Sequence, residues 1–207
     1  QNDSPEKASR QMSASSSGFV PSSGSGALVL EDLETPLARG TRIYAEILGG
    51  NINSGGQRGE GTMTAPNSIA VQKCITDALL DAAISPKDID AINGHLTATS
   101  KDALEIQNWC SALNRSGDDF PFINSLKSQV GHCLSGAGSV ESVATILQIH
   151  HGFIFPNINC DDLNEEITTL IAPKKIPTKL IEREINIVAK ASFGFGDVNG
   201  CLIFKKY

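Results

Sequence analysis

Residues 124–141, N-S-L-K-S-Q-V-G-H-C-L-S-G-A-G-S-V-E, constrain this chain more than any other stretch. The apolar run at residues 120–124 predicts a short strand. It leads through a Gly/Ser-rich turn carrying Lys127 and His132 to Val140, Val143, Ala144, Ile146 and Leu147, which share one face of a helix. Strand, polar turn and helix is the geometry of a site. His132 falls near the start of that helix, where the positive end of the macrodipole opposes protonation and favours a neutral imidazole that can donate a hydrogen bond. Lys127, a fixed cation nearby, pushes the same way. The spacing alone admits a second reading, a tightly packed turn with His132 satisfied inside it.

At 207 residues, 40% hydrophobic and 19% charged, the chain can bury a real core as one large domain or two small ones. A net charge of −6 and a pI near 5.2 argue against nucleic acid as a partner, since there is no basic stripe to release counterions from phosphates. No apolar run approaches bilayer length, and the polar N-terminus has no signal core, so a soluble cytoplasmic protein is expected. The five cysteines, Cys74, Cys110, Cys133, Cys160 and Cys201, include no C-x-x-C pair. They fit reduced thiols better than a disulfide framework, and no metal site is expected. The chain begins at Gln1 and is read as a piece of something longer.

Along the chain, the serine-rich residues 1–17 predict a surface loop, with order beginning near Gly18. Apolar runs at 26–30 and 42–48 predict two antiparallel strands, joined by a short helix over 32–40 that ends at Gly40. The glycine-dense residues 49–64 predict a loop, a boundary or a ligand-facing surface. A helix opened by Pro66 follows, with Val71, Cys74, Ile75, Ala78, Leu79 and Ala82 at helical spacing. Residues 89–92 predict a strand, and Ile106, Trp109, Cys110 and Leu113 a helix. This alternation implies parallel strands with right-handed crossovers. His150 and His151 are assigned to solvent and to capping the helix that Gly152 stops. Residues 156–184 are irregular, and 185–191 and 201–204 close the chain as a strand pair. Phe19 and Phe193 stand 174 residues apart, as do Gly26 and Gly200, Leu28 and Leu202, Val29 and Ile203, and Leu30 and Phe204. The echo suggests a duplicated architecture, with residues 1–62 ending one half and 63–207 forming the other, although glycine-linked hairpins also echo by chance.

Four motifs, N-G-H-L-T-A-T (93–99), S-L-K-S-Q-V-G-H (125–132), G-A-G-S-V-E (136–141) and S-F-G-F-G-D-V-N-G (192–200), resemble the β-ketoacyl-[acyl-carrier-protein] synthases in order and spacing. The resemblance covers essentially the whole chain. It implies a thiolase-like α/β/α layered fold with a mixed sheet, of which this chain is the end of the first half and the complete second half. It also implies a decarboxylative Claisen condensation in fatty acid or polyketide synthesis. His95 and His132 match the two histidines that donate hydrogen bonds to the malonyl thioester oxygen. Lys127 and Glu141 match a lysine and a glutamate that hold those histidines, with Asp102 and Glu105 nearest to the family's acidic residues. Phe195 matches the gating phenylalanine, whose backbone N–H joins an oxyanion hole, and Thr97 and Thr99 match threonines that contact the pantetheine arm. The threonines have a plainer alternative as turn caps, and Phe195 as core.

No cofactor resident in the protein is implied, since phosphopantetheine arrives on the acyl carrier protein. The implied partners are that carrier, the missing N-terminal half, and a second subunit in a homodimer or a heterodimer with a chain-length factor. Leu96 and Asp197 stand where glycines are usual, and the loop after Thr99 is one residue short, which points to a divergent branch. The family's nucleophilic cysteine lies in the first half, and none of the five cysteines takes its place. The chain alone is therefore expected to be inactive. A non-catalytic subunit resembling a chain-length factor is the alternative, disfavoured by retention of His95, His132 and Lys127. A thiolase is disfavoured because both histidines are present.

Overall fold

The computed structural model describes residues 4–207. Its centre is a five-stranded mixed sheet in the order β1-β7-β6-β2-β3. β2 (Ala91–Asn93) lies parallel to β3 (Phe122–Asn124) and to β6 (Ile187–Gly194), while β7 (Val198–Lys205) runs antiparallel to both β6 and β1 (Glu46–Ser54). The parallel part is the crossover arrangement expected from alternating strand and helix patterns.

Period-two alternation along β6 and β7 divides the core. Ala189, Ala191, Phe193, Cys201 and Ile203 pack with α2 (Ser68–Asp81) and α3 (Asp102–Leu113), whose Val71, Cys74, Ile75, Ala78, Ile106 and Trp109 fill that layer. Val188 and Phe204 face the other way and join Ile149 of α5 (Ala137–His151). The phases of α2 and α3 are those the sequence predicts. Helix ends are also as expected: Gly40 closes α1 (Glu34–Arg39) and Gly152 closes α5, both left-handed. Among the described residues, no helix is long and apolar enough to cross a membrane.

Several expectations are corrected. The N-terminal segment is not a surface loop over residues 9–13, although Ala14, Ser15 and Ser17 are exposed as expected. Met12 is buried, Arg10 pairs with Asp162 at 2.9 Å, and Ser13 bridges to Leu163, so polar side chains reach buried positions because partners await them there. Residues 1–3 of that expected loop lie outside the described residues. Residues 26–30 form no strand, and β1 takes β7 as its partner instead. The strand β1 runs through Gly49 and Gly50, where a loop was expected. A Cβ at Gly49 would stand 2.6 Å from the Ala82 backbone and one at Gly50 2.8 Å from the Cys201 carbonyl, so bare backbone lets α2 and β7 close in. The irregular segment 156–184 contains α6 (Glu165–Leu170), capped by Asn164 Oδ1 accepting from Glu166 N at 2.8 Å. It also contains β5 (Ile181–Glu182), paired with β4 (Phe153–Ile154).

Candidate active site

Two loops at the C-terminal ends of the parallel strands β2 and β3 bring His95 and His132 together. Their rings stand edge to face, 5.5 Å between centroids. Phe193 packs on His95 and Phe19 on His132, at 6.2 and 5.2 Å. Both imidazoles line a cavity of about 350 Å³, together with Thr97, Thr99, Phe193 and Phe195. Phe195 sits exposed at the tip of the β6–β7 hairpin, so it is not core. The Thr97 and Thr99 hydroxyls are 3.2 Å apart. A larger hollow of about 760 Å³ lies between residues 27–47 and α5, lined by Leu28, Val29, Leu30, Tyr44, Ile146 and Leu147. Its lining also carries Arg39, Arg42 and Glu46, but neither His95 nor His132, which both face the smaller cavity.

The His95 loop is built from buried charge. Glu105 of α3 accepts from the backbone N–H of His95 and of Leu96, each at 2.7 Å. Asp102 accepts from Thr97, Ala98 and Thr99 and from Met12, which ties the N-terminal segment to the same carboxylate. Lys127 donates to the His95 carbonyl at 2.5 Å and to Glu141. Lys127 lies in a one-turn helix, α4 (Lys127–Val130), rather than in an open turn, and is fully buried beneath the cavity without lining it. Its contact with the site is through the His95 carbonyl and Glu141.

The His132 loop is held by backbone. Its N–H donates to the Val20 carbonyl at 2.7 Å and its carbonyl accepts from Ser22 N at 3.0 Å. Gly131 permits this approach: at φ 73° and ψ −171°, a Cβ would lie 3.0 Å from Ser22 and from the Val20 oxygen. His132 Nδ1 accepts from Leu134 N at 3.0 Å, so in the neutral ring the proton resides on Nε2, which is left as a donor.

The electrostatics favour neutral rings. Burial lowers the His95 pKa well below 6.5, assisted by Lys127, Lys190 and His132. Burial and Lys127 lower that of His132, with Lys190 adding and Glu141 opposing. α5 itself begins only at Ala137, but a 3-10 turn over Leu134–Gly136 runs into it and supplies the N–H that donates to His132 Nδ1, so the helix end adds to burial and the two lysines in opposing protonation. Burial opposes ionisation of Glu141, yet Lys190 and Lys127 together hold its pKa low. Glu105 is pushed up to about 7 by burial and the neighbouring Asp102, whose own pKa burial also raises.

Lys190 is the residue that sequence reasoning missed. It is buried, with its ammonium 2.6 Å from Glu141 Oε2 and 2.8 Å from Ser192 Oγ. The available signal was a lone lysine inside the otherwise apolar run of β6. None of the cysteines lines the cavity. Burial pushes Cys74 and Cys110 up to about 11, Cys160 to about 12, and Cys201 higher still. None of these four is an activated thiol.

Residues 44–161 match the family model described as "Beta-ketoacyl synthase, C-terminal domain". The chain belongs to the β-ketoacyl synthase family. It is 38% identical over 205 residues to 3-oxoacyl-[acyl-carrier-protein] synthase 1 of Escherichia coli, covering 99% of this chain and 47% of the relative. It is also 38% identical to 3-oxoacyl-[acyl-carrier-protein] synthase 2 of Rhizobium meliloti, over 100% of this chain and 47% of the relative. Among solved structures it resembles the ishigamide ketosynthase/chain length factor, with a TM-score of 0.87 and 32% identity over 96% of this chain and 47% of that one. A type II polyketide ketosynthase in complex with its acyl-carrier protein and bound to the hexaketide superposes with a TM-score of 0.87 and 30% identity, covering 98% and 48%. The chain thus spans about half the length of the relatives it matches, and it corresponds to the C-terminal part of members of this family, with the thiolase-like fold.

Proposed function

We propose that the protein containing this chain is a 3-oxoacyl-[acyl-carrier-protein] synthase, catalysing decarboxylative Claisen condensation of an acyl thioester with a malonyl thioester. A malonyl group enters the cavity on the phosphopantetheine arm of an acyl carrier protein, and the Thr97 and Thr99 hydroxyls, which line that cavity, bind the arm. As the bond to the carboxylate breaks and carbon dioxide leaves, the electron pair moves into the thioester and charge grows on its oxygen. His95 and His132 donate hydrogen bonds to that oxygen. Each such donor is worth about 3 kcal/mol where charge develops in a water-poor site. The enolate carbon then attacks the acyl thioester held on a nucleophile, the carbon–sulfur bond breaks, and the nucleophile leaves as a thiolate. In this reading the nucleophile is a cysteine outside this chain, the Phe195 backbone N–H contributes to the oxyanion hole of the attack, and the chain alone is inactive.

The observation that carries the reading is the pair of imidazoles facing one cavity, with His132 Nδ1 already occupied so that its Nε2 is the donor. Val29 and Leu30, 88% and 70% exposed, support packing of the 27–47 face against the rest of a cytoplasmic, dimeric enzyme. The chain-length-factor alternative draws no support from a site that retains both histidines. Intact-protein mass spectrometry of the full-length protein with acyl-loaded carrier tests the proposal. An acyl adduct on a cysteine outside this chain is expected, whereas a folded protein that takes up no acyl group contradicts an active synthase.

A further inference from the structure

The four motifs leave Lys190 without a role, although it is one of the most deeply buried charges in the molecule. It projects from β6 between Val188 and Ser192, on the face of the sheet that α5 covers. Glu141 on α5 is thereby held between two ammonium groups. Lys127 takes Oε1 and Lys190 lies 2.6 Å from Oε2, and none of the three side chains is more than 3% exposed. With both lysines charged, two cations and one anion leave a net positive charge beneath the histidines. The nearest further carboxyl, Glu105, stands at about 7 and is already committed to the backbone of His95 and Leu96.

The charged groups facing each ring are few. His95 is faced by Lys127 of α4, Lys190 of β6 and His132. His132 is faced by Lys127, Lys190 and Glu141. Glu141 is the carboxylate whose charge favours a proton on His132, and its second oxygen would be free to do so if only Lys127 were paired with it. A buried charge is screened by its partners and hardly by solvent, so occupation of that oxygen matters.

We propose that Lys190 is a positioning residue that engages the second oxygen of Glu141, so that His95 and His132 remain in the hydrogen-donating neutral form as the medium turns acid. The proposal deepens the condensing-enzyme reading and rests on it for its catalytic meaning. The lysine's own burial works against its charge, with Glu141 opposing that effect, which makes the charge state of Lys190 the point at issue.

The test is a histidine 13Cε1 NMR titration of the full-length protein, with His95 and His132 assigned by His95→Gln and His132→Gln, beside pH profiles of malonyl decarboxylation. In the native protein both midpoints are expected below 6.5, the ordinary histidine value. In Lys190→Met they move upward, and the loss of decarboxylation deepens by roughly tenfold between pH 8 and pH 6. Lys190→Arg, which keeps the charge, returns both toward native. Superimposable titrations in native and Lys190→Met, or a native midpoint at or above 6.5, overturn the proposal. If Lys190→Met does not fold, Lys190→Gln, which likewise removes the charge, takes its place with the same two outcomes. The NMR readout does not require turnover, so a protein that fails to condense would refute the proposed function while leaving this inference to be judged on its own.

Discussion

The two histidine loops reach the same cavity by different means. The loop of His95 hangs from side chains: two carboxylates of α3 take six backbone N–H groups from residues 12 and 95–99, and Lys127 holds the carbonyl. The loop of His132 is clasped by main chain, with residues 20–22 on one side and Leu134 on its ring nitrogen. The first loop depends on which buried groups are ionised. The second depends on close approach of backbone, and so on a glycine. One site therefore joins a charge-sensitive wall to a shape-sensitive one.

Breaking the charged wall is expected to have the largest effect on stability. Asp102→Ala strands four backbone donors, Met12, Thr97, Ala98 and Thr99, and should cost at least about 3 kcal/mol in denaturant unfolding. A loss below about 1 kcal/mol would mean that water replaces the carboxylate. The same wall should respond to pH. Glu105 has a folded pKa near 7, above its ordinary 4.5, so the native state binds its proton more tightly than the unfolded chain. Its contribution is fully present below about 4.5 and is lost as pH rises to 7, a fall of up to about 3 kcal/mol. Subtracting the stability profile of Glu105→Gln from that of the native protein should isolate this slope. Gly131→Ala attacks the other wall. It places a side chain in a region essentially reserved for glycine and should cost about 1–3 kcal/mol, with no comparable pH slope. The smallest effect is expected at the cavity rim, where Thr97→Val should raise the KM for malonyl carrier by roughly two- to tenfold and leave unfolding nearly unchanged.

The same contrast explains what the sequence disclosed. Helices α2 and α3 were legible because Val71, Cys74, Ile75 and Ala78, or Ile106 and Trp109, repeat within a few residues of one another. His95, Lys127, His132 and Glu141 were legible through motifs, and the structure gathers them. The strand through Gly49 and Gly50 was not, because glycine counts against a strand locally while its reason, the approach of Ala82 and Cys201, lies elsewhere in the chain. Met12 was hidden for the same cause: the partner of its backbone, Asp102, is 90 residues away. Lys190 followed no motif, and its partner on α5 became visible only when β6 and α5 were packed together.

The most direct test of the central claim, that His95 and His132 serve as neutral donors to the enolate oxygen, compares two rates in the full-length protein. Malonyl-carrier decarboxylation and acyl loading are measured side by side in native, His95→Ala and His132→Ala proteins. Each substitution is expected to lower decarboxylation by roughly 10²- to 10³-fold and to leave acyl loading largely intact. Decarboxylation at the native rate in both variants would contradict that claim.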